Sequence, residues 1–151
     1  MRLRYLFPVM AAVALTVIIA GNAYALFGLG KYTSVTSENG VVTIPLSDVD
    51  DGEAHYYIYE KDGFEVKFFL LKSNDGVIRA AFDACDVCFR EKKGYSQDGD
   101  FMVCDNCGMR FHSSRINEVK GGCNPSPLTR TYDETTVTIK ERDIMSGRGY
   151  F

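Results

Sequence analysis

The chain has no surplus of positive charge: 17 basic residues stand against 20 acidic ones, a net charge of −3. Setting aside Arg2 and Arg4 leaves 15 against 20, or −5, so the basic face that nucleic acid requires is missing. Neither Cys-x-x-Cys pair is followed by His, since Phe89 and Gly108 occupy those places, which excludes covalent c-type haem attachment. There is no Ser-His-Asp set, no glycine-rich phosphate loop and no pair of catalytic carboxylates. Hydrolysis and group transfer therefore have no candidate residues, no small-molecule substrate is indicated, and a non-enzymatic role is expected.

A further absence shapes the N-terminus. From Tyr5 to Gly30 there are 26 residues without a charge. Arg2 and Arg4 form a basic start, Tyr5 to Ala20 an apolar core, and Ala23-Tyr24-Ala25 a small-residue cleavage pattern. Residues 1–25 read as a signal peptide, or, if left uncut, as an N-terminal membrane anchor. Either outcome predicts an extracytoplasmic protein, in the periplasm or on the outer face of the cytoplasmic membrane. Arg2-Leu3-Arg4 is not a twin-arginine pair and no Cys adjoins Ala25, so export unfolded and without a lipid anchor is expected, any metal being acquired afterwards. Residues 26–39 read as a linker and residues 40–151 as the domain.

Within the domain, turn chemistry separates β-rich stretches. Val41 to Ile44, ended by Pro45, is strand-like, and His55 to Tyr59 is an aromatic strand. Lys61-Asp62-Gly63 carries a hairpin signature. Phe64 to Leu71 alternates as a half-buried strand with Phe64, Val66, Phe68 and Leu70 inside. Asn74-Asp75-Gly76 turns the chain into a strand from Val77 to Phe82. Residues 90–100 read as a solvated hairpin tip, Phe101 to Val103 and Met109 to His112 as strands, and Ser113 or Ser114 as the cap of a helical turn through Val119. Pro125 and Pro127 favour an extended segment, and Thr135 to Ile139 forms the last strand. Val42-Thr43-Ile44, Asp48-Val49 and Gly52 recur 95 residues later as Val137-Thr138-Ile139, Asp143-Ile144 and Gly147, each copy ending in an aromatic, Tyr56 or Phe151. One strand-turn-aromatic unit is thus expected at each end of the domain, with the closing aromatics in the core.

The chemistry concentrates in Cys85-Asp-Val-Cys88 and Cys104-Asp-Asn-Cys107, fifteen residues apart, followed by Cys123. A two-residue gap lets a turn aim two sulfurs at one point, and two such knuckles on neighbouring hairpins complete a four-thiolate shell. Gly108 suits the second knuckle because it can take the left-handed backbone conformation, whereas Phe89 makes the first less regular. The spacing admits Zn2+, a mononuclear rubredoxin-like iron or an iron-sulfur cluster. Two disulfides are the competing reading in an oxidising compartment, but five cysteines leave one over. A thioredoxin-like exchange role would need a CxxC at a helix start in a βαβ setting, which the β-rich context lacks. Cys123 and His112 are candidate additional ligands; with Met109 they would suit copper. Asp48, Asp50, Asp51 and Glu53 read as a solvated turn and His55 as a structural residue. The expected fold is mainly β, a β-rich α+β domain whose small antiparallel sheet carries a two-knuckle, zinc-ribbon- or rubredoxin-like site.

Ala84-Cys-Asp-Val-Cys88, Val103-Cys-Asp-Asn-Cys-Gly108 and, most distinctively, Gly121-Gly-Cys-Asn-Pro-Ser-Pro-Leu128 resemble the FtrD-like membrane iron-sulfur family over most of residues 40–151. The resemblance implies a membrane-associated domain linked to iron transport outside the cytoplasm, alongside an iron permease and redox partners. It also implies Cys85, Cys88, Cys104, Cys107 and Cys123 as ligands of an iron-sulfur cluster. One apolar N-terminal segment, where fuller members have several spans, fits an accessory that binds metal or passes electrons better than a transporter.

Overall fold

The computed structural model describes residues 30–151, so the expected signal peptide or anchor and the first part of the expected linker lie outside it. In chain order the strands are β1 (Tyr32–Val35), β2 (Val41–Pro45), β3 (His55–Lys61), β4 (Phe64–Lys72), β5 (Ile78–Phe82), β6 (Tyr95–Asp98), β7 (Phe101–Cys104), β8 (Arg110–His112), β9 (Thr131–Tyr132) and β10 (Thr136–Lys140). One short helix, α1 (Glu141–Met145), follows. They form three small sheets, ordered β1-β3-β4-β5, β2-β10-β9 and β6-β7-β8. Pairing is antiparallel except that β1 runs parallel to β3. Among the described residues no helix is long and apolar enough to cross a membrane.

The expected β-rich character is present, with two corrections. Within the expected linker, residues 32–35 form a strand: β1 pairs with β3 from Tyr32 opposite Tyr56 to Val35 opposite Tyr59. Residues 90–100 are not only a solvated tip, because β6 lies there and Tyr95 is 1% exposed. The polar character of Arg90 to Asp100 reflects its outward residues and hides the one aromatic that turns inward.

Asp62 and Gly63 both have positive φ, 51° and 79°, the two-residue turn whose twist matches the flanking strands β3 and β4. The alternation in β4 predicted one buried face, but the structure buries both. Val66, Phe68 and Leu70 join Ile78, Ala80 and Phe82 of β5 in a core closed by Val42, Ile44, Val137 and Ile139 of the second sheet. Phe69, Leu71 and Ala81 point the other way, into a core with Tyr95, Met102 and Cys104 of the third sheet. The first sheet is therefore the middle layer. Phe64, expected inside, is 48% exposed because it sits at the turn, beyond both covering sheets.

The internal echo has a direct structural meaning. Its two strands pair with each other, Val42 opposite Ile139, Thr43 opposite Thr138 and Ile44 opposite Val137, and each runs into a helical turn, with a buried apolar residue just after the first, Val49, and within the second, Ile144. The equivalence stops at the aromatics: Tyr56 packs against the core on the third-sheet side and Phe151 against the other. Glu141, at the start of α1, accepts hydrogen bonds from Ser37, Tyr59 and Lys61, tying the chain after β1 to β3 and to the helix.

Two measurements check this arrangement. Phe68→Ala removes a side chain buried in the layered core and should cost about 3–5 kcal/mol in denaturant unfolding, while Phe64→Ala stays within about 0.5 kcal/mol; equal losses would mean the middle-layer assignment is wrong. The Lys61 hydrogen bond, joined by Ser37 and Tyr59, lowers the Glu141 pKa from 4.5 to about 2. A depressed carboxyl stabilises the fold above its ordinary pKa and loses that contribution as pH falls through its folded value. The stability gap between the wild type and Glu141→Gln is thus expected to be full at neutral pH and to close on acidification from 4.5 toward about 2.

Candidate metal centre

The five cysteines arrive by three routes. Cys85 lies just beyond β5, where the chain leaves the middle sheet, and the Cys88 amide hydrogen-bonds to the Cys85 sulfur at 3.2 Å. Phe89, where the second knuckle has Gly108, starts a 3-10 turn over Phe89–Glu91, and the left-handed residue is delayed to Lys92 at φ 52°. This knuckle is a crossover between sheets and not a hairpin. The second knuckle is a hairpin: Cys104 ends β7, its N–H donates to the Met109 carbonyl at 2.9 Å, and the Gly108 N–H donates back to the Cys104 carbonyl at 2.8 Å. Gly108 has the expected left-handed φ, 73°.

Cys123 comes by the third route. Downstream of it, Ser126 to Leu128 lie along the free edge of β5: the Phe82 N–H donates to the Ser126 carbonyl, the Ser126 N–H to the Ala84 carbonyl and the Leu128 N–H to the Ala80 carbonyl. This pairing carries the Gly121-Gly122-Cys123 turn back over the first knuckle. The Cys88 and Cys123 sulfurs end 3.9 Å apart, although 35 residues separate them. All five thiols are free.

The sulfurs of Cys85, Cys88 and Cys104 lie within 4.8 Å of one another, and so do those of Cys88, Cys107 and Cys123. Neither group includes His112. Its ring packs edge-on against Phe101 and its Nδ1 bonds to Ser114, and Met109 is 52% exposed. In the acidic turn, Asp51 pairs with the half-buried His55 at 2.8 Å.

Burial grades across the cluster. Cys85 and Cys104 are buried, Cys88 and Cys123 half-buried and Cys107 exposed. Burial works to raise the Cys85 thiol, but hydrogen bonds from neighbouring amides, that of Cys88 foremost and then Val87, outweigh it and lower the pKa. Burial pushes Cys104 up to about 11 and, joined by its neighbours Cys107 and Cys88, Cys123 up to about 12. The Met109 amide draws Cys107 below its usual value. A cleft of about 270 Å³ opens beside Cys85, Cys88 and Cys104, with Tyr32, Lys67, Phe89, Lys92 and Phe151 in its walls.

The sequence reading missed the residues that hold this centre in place. Asp83, whose side chain is fully buried, accepts from Lys31 at 2.8 Å, from the Tyr32 hydroxyl at 2.6 Å and from the Tyr95 N–H at 2.6 Å. The Tyr95 carbonyl accepts from Lys31 and from the Tyr56 hydroxyl, and its own hydroxyl donates to the Cys123 carbonyl. The available signals were an acid inside the apolar run Ala80 to Cys85, a lone aromatic in a polar stretch, and the first charge after 26 uncharged residues.

A family model described as "Membrane iron-sulfur containing protein FtrD-like" matches residues 49–151, a span that includes all five cysteines. The chain belongs to the FtrD-like family. No match is found among curated proteins or solved structures. In this FtrD-like chain the donor set is all sulfur, softer than the mixed sets typical of hard cations, and five converging thiols fit the iron-sulfur centre of the family description. Lys31 and Tyr32, which anchor Asp83, lie before the matched residues.

In metal-free, reduced protein, Cys107 should be alkylated first and Cys104 among the slowest, because the first is exposed with a lowered pKa and the second is buried with a raised one. Peptide mass spectrometry of a timed iodoacetamide reaction reads the order; early labelling of Cys104 would contradict the burial gradient.

Proposed function

We propose that this chain is an extracytoplasmic, membrane-associated iron-sulfur protein that serves iron transport as an electron-transfer accessory and not as an enzyme. The observation that carries the reading is the convergence of five thiols, with no other ligand type among them, in a chain of the FtrD-like family. Bound there, an iron-sulfur centre would supply one-electron transfer. Cys85, Cys88, Cys104, Cys107 and Cys123 are the residues that would hold it. The Cys88 amide is directed at the Cys85 sulfur, and the Val87 and Met109 amides act on the Cys85 and Cys107 sulfurs, the kind of outer contact that sets the potential of a thiolate-bound metal. The exposed Cys107 brings one edge to the surface, where a redox partner can approach; the buried Cys85 and Cys104 keep the opposite edge from water. The basic, apolar and small-residue sequence of residues 1–25 supports export or anchoring at the membrane. An iron permease and its redox chain are the partners this role requires.

A second reading has its own support. A tetrahedral site with Zn–S bonds of about 2.3 Å sets sulfurs about 3.8 Å apart, close to the 3.9 Å between Cys88 and Cys123. Zinc held so would staple the knuckles together without redox chemistry, leaving an interaction domain.

Anaerobic purification of the full chain, followed by a visible spectrum and assay of iron, zinc, copper and acid-labile sulfide, separates the two. Iron with sulfide and a broad visible band is the expected result. A colourless protein with zinc would establish the staple, and metal-free protein with oxidised thiols would remove both.

A further inference from the structure

The five thiols surround two points. Cys85, Cys88 and Cys104 define one, Cys88, Cys107 and Cys123 the other, and Cys88 belongs to both. We propose that the centre is binuclear, with an inner metal position held by Cys85 and Cys104, an outer position held by Cys107 and Cys123, and Cys88 shared between them. This rests on the metal-binding reading above and specifies how many metals the cysteines hold and where.

Three features support it. The first is the odd cysteine count. A single four-thiolate shell leaves one thiol over, pressed against its neighbours with nothing to bind, whereas two groups of three sharing one member use all five. The second is crowding. A four-iron cluster takes one thiolate per iron and spreads its ligands to four corners, and a two-iron, two-sulfide cluster takes four thiolates with none shared, but a pair of thiolate-bound ions bridged by one sulfur gives each metal three. Here the three sulfurs around each point lie within 4.8 Å of one another. The third is the origin of the ligands. The inner pair comes from the ends of β5 and β7, strands packed into the core. The outer pair comes from turns, with the left-handed residues Gly108, Gly121 and Gly122 at φ 73°, 87° and 64° letting the chain fold around the second point.

The two positions are unlike. Cys85 and Cys104 are 1% and 2% exposed, so the inner metal is shielded, whereas exposed Cys107 and half-buried Cys123 open the outer one to solvent. In a redox centre this makes the outer metal the point of contact with a partner. Each thiol gives up its proton as its bond to the metal forms.

The test uses the full chain, stripped of metal and reloaded anaerobically with cadmium-113. Native mass spectrometry should find two cadmium ions per chain, and NMR two resonances split by coupling through the shared Cys88 sulfur. Cys123→Ser should lose the outer resonance and keep the inner, and Cys88→Ser should abolish the coupling. The wild-type count decides the matter even if a variant misfolds. One cadmium per chain would overturn the binuclear centre while leaving a thiolate metal site. Four irons with four sulfides in the protein as isolated would overturn it while leaving the iron-sulfur assignment. No cadmium uptake by folded protein would remove the metal reading itself.

Discussion

Asp83 sits with no solvent contact at the point where β5 ends and the first knuckle begins, and a bare carboxylate there would be too costly to keep. Three donors make it tenable: the Lys31 ammonium, the Tyr32 hydroxyl and the Tyr95 amide. Two come from adjacent residues at the start of β1 and the third from β6, so satisfying one buried charge at the end of β5 pins β1, β5 and β6 together. Burial, with the Asp83 carboxylate beside it, drives the Tyr32 pKa far above the ordinary range, keeping that hydroxyl a donor. The close fit accounts for Gly94 too, since a Cβ there would lie 2.5 Å from an Asp83 oxygen. Because Cys85 follows Asp83 by two residues and Tyr95 pairs with Cys104, this carboxylate also sets the distance between the two knuckles.

Layering does the rest of the positioning. A sheet buried on both faces holds its strand ends firmly, and β5 ends at the seam between the two cores. Ala84 packs into one core and Cys85 into the other. The adjacent Ser126–Leu128 segment depends on that same edge, so the rigid middle sheet places four of the five thiols directly or at one remove. Only the tip of the second knuckle, with Cys107, projects from it.

That arrangement suits a centre that must be both protected and reachable. On the core side the inner cysteines are covered by the aromatic packing of Tyr56, Phe69 and Tyr95, whose rings follow one another at centroid separations of 5.8 Å and 6.4 Å, while their other side borders the cleft. The outer sulfurs stand on short turns near the surface. A gradient of burial over so short a distance comes from joining one knuckle to a core strand and the other to a hairpin, and a symmetrical pair of hairpins would not produce it.

What the sequence by itself determined is what a few neighbouring residues can encode. The Asp62-Gly63 turn, the strands around it, the CxxC spacing and the left-handed Gly108 are all local, because turn geometry and strand patterning act within a handful of bonds. The repeated Val-Thr-Ile units were legible as an echo, but not as partners in one sheet. Tertiary structure alone decided which thiols share a point, that residues 32–35 form a strand, that both faces of β4 are buried, and that Tyr95 belongs to the centre. Those outcomes depend on pairings across 35 residues, as between Cys88 and Cys123, and across 52, as between Lys31 and Asp83. No local pattern specifies such contacts, since they form only when the chain satisfies a buried charge and covers two apolar faces at once.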